Sequence, residues 1–176
     1  MDTTSRSTRL EALGRMVGTW TLQHCDLTGE KWTGKDTFAW IDDGQFLLFN
    51  HEEHGRVKGF MVIGFETRWG QNSPSREVLG HWFDSRTGEH FIYVWELIDD
   101  ALTFWLEERG GDFAFNGNFS RDNNTINGHW TWPGGGYSLT MTRSNQPELE
   151  FPGTTNSYRS PTISTTNTST NYETKD

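Results

Sequence analysis

Histidines and paired carboxylates are the residues of this chain whose types suit metal or acid–base chemistry. The histidines and acids that could converge at one rim of a fold are His51, His54, His81, His90 and Glu52 or Glu53. Known zinc sites repeat particular spacings of His and Cys, and none of those spacings occurs here. We therefore predict no metal site and no cofactor, and interpret the histidines as solvated turn residues with one facing the interior.

The sequence offers no convincing nucleophile. Ser85 lies beside Asp84, with histidines on both sides of the turn, but no nucleophile elbow or oxyanion-hole glycine pattern accompanies it. Cys25 is the single cysteine, and it follows His24 directly, so on a strand the two side chains point to opposite faces. No catalytic residue is assigned from the sequence.

Most paired carboxylates, Glu52 and Glu53 among them, fall in turns or at strand ends and are interpreted as surface charge, but Glu96 lies inside a predicted strand. Alternation places it on the face opposite Tyr93 and Trp95. If that face is the interior one, Glu96 lines a cavity and its pKa is shifted; if not, it is a surface charge. Both alternatives stay open.

Aromatic residues give the strongest indication of function, since they are spread over consecutive strands and interleaved with glycines. Such rings either fill a solid core or, opposite glycines, leave shaped gaps that hold a small molecule. We favour binding of a small hydrophobic or aromatic ligand. The predicted ligand-binding residues are Trp82, Tyr93, Trp95, Glu96, Trp105, His129 and Trp130.

Period-two alternation positions these side chains. It runs from Gly18 to Arg143 through about ten strands, separated by turn sequences such as Asp43-Gly44. No segment is long enough for a parallel crossover helix, so an α/β fold is excluded. Thr8 and Glu11 match a capping box, which predicts a helix over 8–17. The sequence thus predicts an all-β fold, a single antiparallel barrel with a short N-terminal helix.

Composition sets the domain boundaries and the environment. Residues 1–7 are predicted to be a disordered lead, 8–143 the barrel domain, and 144–176 a disordered tail rich in Thr, Ser and Asn. A net charge of −9 argues against nucleic acid and anionic membrane partners. No secretory signal or membrane span is visible, so we expect a cytoplasmic protein, a monomer or a homodimer.

A series of short motifs resembles the calycin-like superfamily, which includes lipocalins and fatty-acid-binding proteins, and in particular small bacterial lipocalin-like proteins of a domain-of-unknown-function family. The motifs are Gly18-Thr19-Trp20, Gly44-Gln45-Phe46-Leu47, Ile63-Gly64-Phe65-Glu66, Trp82-Phe83-Asp84-Ser85, Gly117-Asn118-Phe119-Ser120 with Asp122, and Thr125-Ile126-Asn127-Gly128-His129-Trp130. They span about three quarters of the chain, and the tail is not part of the pattern.

The resemblance implies a closed barrel in which Trp20 packs beneath Arg143 of the last strand through a cation–π contact and a hydrogen bond. It also implies a cavity that binds a small molecule. The alternative is a cofactor-independent isomerase or cyclase that uses the cavity as its active site, which a perturbed carboxylate or Tyr inside the barrel would favour. Haem binding through one axial His is a further alternative, although the motifs that surround such a ligand are missing.

Overall fold

The computed structural model describes residues 3–41, 44–144 and 154–155. The chain begins with helix α1 (Thr3–Ala12), which continues into a short 3-10 helix (Leu13–Met16). The strands that follow are β1 (Gly18–Asp26), β2 (Lys31–Ile41), β3 (Phe46–Glu53), β4 (Val57–Gly64), β5 (Val78–Asp84), β6 (His90–Ile98), β7 (Ala101–Leu106), β8 (Ala114–Phe119), β9 (Thr125–Trp132), β10 (Gly135–Arg143) and β11 (Thr154–Thr155).

Strands β1 to β10 form a closed antiparallel barrel. Each strand pairs with the next along the chain, and β1 also pairs with β10, with Trp20 opposite Arg143. Closure leaves no free edge among these ten strands. The all-β prediction of a single antiparallel barrel of about ten strands with a short N-terminal helix is confirmed.

The N-terminal helices cover one end of the barrel, called here the helix end. Leu10, Leu13 and Met16 are buried there, and Trp20 donates a hydrogen bond from its indole nitrogen to the Met16 carbonyl at 2.8 Å. The guanidinium carbon of Arg143 lies 4.2 Å from the centroid of a Trp20 ring. The cation–π contact that the resemblance implied is therefore present, whereas the indole hydrogen bond goes to Met16 rather than to Arg143. The opposite end is called the far end.

Helix α1 begins at Thr3, before the predicted start at Thr8. Thr8 lies inside the helix, so it is not the N-cap that the capping-box pattern suggested. The apolar stripe used to find the helix begins only at Leu10, and periodicity carries no information about the polar turn that precedes it. The structure therefore places 3–7 in the helix, where the sequence predicted a disordered lead.

Only a few residues of the C-terminal tail lie within the described part of the chain. Most of the predicted disordered segment 144–176 lies outside the described residues, but Thr154 and Thr155 pair with Ile41 and Trp40 at the end of β2. Neither helical segment among the described residues has the length and apolarity of a membrane-spanning helix.

Candidate functional site

The barrel encloses a cavity of about 290 Å³. Met16 lies at its helix end, and its lining extends to the far end, where Asp84 and Phe91 are both partly exposed. Small-molecule sites typically measure about 300–1,000 Å³, so this cavity suits an occupant at the small end of that range.

Aromatic rings form most of the cavity wall. Trp95 stacks on Phe104 with 4.3 Å between ring centroids, and Trp130 meets Phe104 edge to face at 5.0 Å. Tyr93 packs edge to face against Trp130, with centroids 6.1 Å apart. Such pairs fix each ring through its neighbours, so the wall is stiff and presents both ring faces and ring edges.

Glycines on the strands seat these rings. A Cβ added at Gly80 would lie 2.6 Å from the Trp95 indole nitrogen, and one at Gly59 would overlap the ring of Trp82. The sequence interpretation expected gaps opposite glycines. The space beside Gly59 and Gly80 is filled instead by the rings themselves, because a ring can lie flat on the backbone only where the facing residue has no side chain.

Four titratable side chains form a buried acid–histidine cluster on one side of the cavity: His24 on β1, Asp36 on β2, and His51 and Glu53 on β3. His51 Nδ1 lies 2.6 Å from Asp36 Oδ1, and His51 Nε2 lies 3.4 Å from Glu53 Oε1. Glu53 Oε1 is also 3.1 Å from His24 Nε2. His51 therefore lies between two carboxylates, and Glu53 between two imidazoles.

Trp32 completes the surroundings of Glu53. Its indole nitrogen donates a hydrogen bond to Glu53 Oε2 at 2.9 Å, and its ring stacks parallel to His24 with centroids 4.9 Å apart. Tyr137 meets the rings of both His24 and Trp32 edge to face, at 5.3 Å in each case. The cluster is thus held by aromatic packing as well as by charge.

Local sequence explains why these polar groups point inward. His24 continues the inward face of Leu22, and His51 and Glu53 continue that of Leu47 and Phe49. Gly34, paired with Glu53 across β2 and β3, makes room for it: a Cβ at Gly34 would lie 3.1 Å from the Glu53 Cγ.

The cluster shifts the pKa values of its members. Burial raises the pKa of Glu53, but hydrogen bonds from His24 and His51 outweigh it and hold the pKa at about 2, so Glu53 is ionised. Burial lowers the pKa of His51, yet the charge and hydrogen bond of Asp36 raise it to about 10. Burial raises the pKa of Asp36, against the attraction of His51. The 2.6 Å contact between Asp36 and His51 couples their titrations, so the two groups gain and lose protons as a pair.

Three further polar groups at the cavity lack a partner among the described residues. His24 Nδ1 is buried without a hydrogen bond. The hydroxyl groups of Tyr93 and Tyr137 line the cavity, and no hydrogen bond to another described group engages them. Burial raises the pKa of Tyr93 to about 12 and also raises that of Tyr137, so both phenols keep their protons. An occupant of the cavity could form hydrogen bonds with the two phenol groups.

The predicted ligand-binding residues divide into two sets. Trp82, Tyr93, Trp95 and Trp130 line the cavity. The remaining three do not line it.

Glu96 forms an ion pair with Arg109, and that guanidinium lies 5.2 Å from the ring centroid of Trp105. Glu96 and Trp105 each follow a residue that lines the cavity, Trp95 on β6 and Phe104 on β7. Strand alternation therefore directs Glu96 and Trp105 to the outside of the barrel. His129 is exposed beside the inward Trp130.

The four histidines considered for a shared rim do not converge on one site. His51 faces the cavity, whereas His54 is exposed in the turn after β3. His81 and His90 stack at 5.4 Å on the outer face of β5 and β6, and His81 Nε2 lies 2.9 Å from Glu66 Oε2. Within the part of the chain that the structure describes, no group of three or more His, Cys, Asp or Glu side chains is arranged to hold a metal ion.

Sequence reasoning missed most of this cluster, because Glu53 and its neighbour Glu52 were interpreted together as surface charge. Only Glu52 faces outward, where it pairs with Lys58 at 3.4 Å. The signal that could have separated them is alternation from Phe49, an inward aromatic four residues before Glu53.

No protein-family model matches this sequence, and no curated protein matches it either. Among solved structures, the chain is similar to a de novo designed fluorescence-activating β-barrel. The two are 15% identical, the match covers 76% of this chain and 97% of the designed one, and the TM-score is 0.39.

Proposed function

We propose that this barrel binds a small, largely apolar or aromatic molecule in its cavity. The observation that carries the proposal is the cavity of about 290 Å³ with aromatic walls and a lining that reaches the far end. A few fixed polar groups among apolar walls are typical of small-molecule sites, since the walls supply contact area and the polar groups supply orientation. In this proposal Trp82, Tyr93, Trp95 and Trp130 contact the ligand.

The calycin-like relationship belongs to the same proposal. It is supported by the Arg143 guanidinium over Trp20 and by the short helical segment that covers the same end of the barrel. Membership of the small bacterial lipocalin-like group, a cytoplasmic location and a monomeric or homodimeric state remain predictions from the sequence.

Blocking the cavity tests the proposal. Val57 lines the cavity at the far end, and its neighbour Lys58 is exposed and pairs with Glu52. Val57→Trp should fill the far end of the cavity and abolish the heat of binding of 2-phenylethanol, a neutral aromatic probe, in isothermal titration calorimetry. Lys58→Trp is the matched control and should bind like the unmodified protein. Equal binding by both variants, or no binding by the unmodified protein, would contradict the proposal.

Native mass spectrometry of freshly purified protein adds an independent measurement. A reproducible extra mass that disappears in Val57→Trp would support a ligand in the cavity. A visible absorbance scan of the same sample addresses the haem alternative, because bound haem gives an intense Soret band. Such a band would show that the bound ligand is haem and not an apolar molecule of another kind.

The acid–histidine cluster favours a second candidate, an isomerase or cyclase that needs no cofactor. Such chemistry needs a base and an acid facing one substrate. Glu53 is ionised, and Asp36 and His51 hold a proton beside it in the same cavity. A molecule recovered with the protein should then incorporate deuterium from heavy water at a carbon atom, seen by NMR, and Glu53→Gln should stop the exchange. Exchange that is absent, or unchanged in Glu53→Gln, leaves binding as the function.

A further inference from the structure

The charge of the cavity lining is one-sided. Three carboxylates line it, Asp36, Glu53 and Asp84, and none of the described lining residues is Lys or Arg. The Arg56 guanidinium lies 4.6 Å from the centroid of a Trp32 ring, outside the lining, and is paired with Glu30. An occupant therefore meets negative charge with no lysine or arginine in the wall to balance it.

Histidines balance only part of this charge. Asp36 Oδ1 lies 2.6 Å from His51 Nδ1, so this carboxylate is paired within the wall. Glu53 Oε1 lies 3.1 Å from His24 Nε2, and hydrogen bonds hold the pKa of Glu53 at about 2, so this carboxylate is ionised. Backbone hydrogen bonds from Thr87 and Arg86 lower the pKa of the third carboxyl, Asp84. Three carboxylates thus line the cavity against two imidazoles.

The Glu53 carboxylate can also accept further hydrogen bonds. Its Oε1 faces His24 and His51, whereas its Oε2 accepts one hydrogen bond among the described residues, from Trp32. A carboxylate offers about four acceptor positions. Glu53 Oε2 therefore has an acceptor position left for a donor group of the occupant.

We propose that the natural occupant is a small organic cation, an amine with an aromatic or aliphatic body, whose ammonium group meets Glu53 while its body contacts the aromatic wall. This inference rests on the proposed binding function and adds the chemical class of the ligand. Aromatic faces attract cations as well as apolar groups, so rings such as Trp82 suit both parts of such a molecule. A ligand carboxylate would face Glu53 and Asp84 with no lysine or arginine to receive it.

Three probes of nearly equal shape test the class of ligand. 2-Phenylethylamine is a cation at neutral pH, 2-phenylethanol is neutral and phenylacetate is an anion. By calorimetry we expect the amine to bind at least about tenfold more tightly than the alcohol, since charge-assisted hydrogen bonds are about twice as strong as neutral ones. Phenylacetate should bind more weakly than both.

Glu53→Gln keeps the shape of the side chain and removes its charge. We expect the affinity for the amine to fall about tenfold, to that of the alcohol, while the affinity for the alcohol stays the same. Glu52→Gln is the matched control on the adjacent outward side chain and should preserve the preference for the amine. If Glu53→Gln does not fold, the ranking of the three probes on the unmodified protein decides alone.

The outcomes separate this inference from the binding function on which it rests. If the alcohol binds in the cavity but the amine binds no more tightly, or phenylacetate binds as well as the amine, the cationic class is wrong and the binding function stands. An amine preference that survives in Glu53→Gln also overturns the inference. If none of the three probes binds, both proposals fail.

Discussion

Replacing Asp36 with Asn removes the carboxylate that holds the His51 proton, at a contact of 2.6 Å in the interior. Breaking a buried charged pair costs about 3–5 kcal/mol, because the partner is left uncompensated. Asn retains an acceptor oxygen, and His51 keeps a 3.4 Å contact with Glu53, so the loss should lie at or just below the lower end of that range. We expect Asp36→Asn to lower the free energy of unfolding by about 2–4 kcal/mol at neutral pH.

Proton linkage gives a second value for the loss of unfolding free energy in Asp36→Asn. The pKa of His51 is about 10 in the folded protein against 6.5 in an unfolded chain. A raised pKa stabilises the fold fully below the unfolded value, and this contribution is lost as the pH rises towards 10. At about 1.4 kcal/mol per pH unit, the proton contributes at most about 4 kcal/mol at pH 7, which agrees with the first value.

Urea unfolding followed by tryptophan fluorescence, at several pH values from about 6 to about 9, measures the effect. The stability difference between the unmodified protein and Asp36→Asn should shrink as the pH rises through this window. Asp112→Asn is the matched control, since Asp112 is exposed, and it should leave the curve unchanged. A difference that is constant with pH would refute the conclusion that Asp36 holds the His51 proton.

Two further predictions concern the frame that carries the site. Gly80→Ala should lower the free energy of unfolding by about 1–3 kcal/mol in the same urea assay, because the new methyl overlaps Trp95 and Met61; an unchanged midpoint would show that the rings can move aside. Arg143→Lys should cost about 1–3 kcal/mol, since Lys lacks the planar fork that covers Trp20. A loss below about 0.5 kcal/mol would mean that a point charge suffices there.

The barrel could be predicted because alternation and turn residues are local signals. Period-two patterning identifies a strand whatever its neighbours are, and dipeptides such as Asp43-Gly44 mark where it turns. The same alternation rule also limits which residues can line the cavity together. Trp95 with Glu96, and His129 with Trp130, are sequence neighbours on strands, so one member of each pair must face away from the cavity.

The acid–histidine cluster could not be predicted as reliably as the barrel. His24, Asp36 and His51 come from three strands, and contacts between them depend on the register of β1, β2 and β3, which the sequence does not state. Glu53 ends its strand, where a carboxylate is usually solvated. Trp105 shows the opposite difficulty: β7 is apolar on both faces, so composition does not say that Phe104 is the residue that lines the cavity.

The proposed binding of a polar ligand group explains the cluster better than a purely structural role does. Apolar side chains of similar volume commonly replace buried ion pairs with no loss of stability, so such a pair is weak support for a purely structural role. Here the charged groups adjoin an aromatic cavity, and His24 Nδ1 and two phenol groups stay without partners among the described residues. A cluster built only for stability would satisfy its own hydrogen bonds. Phenol groups without partners that line a cavity are instead what a polar ligand group needs.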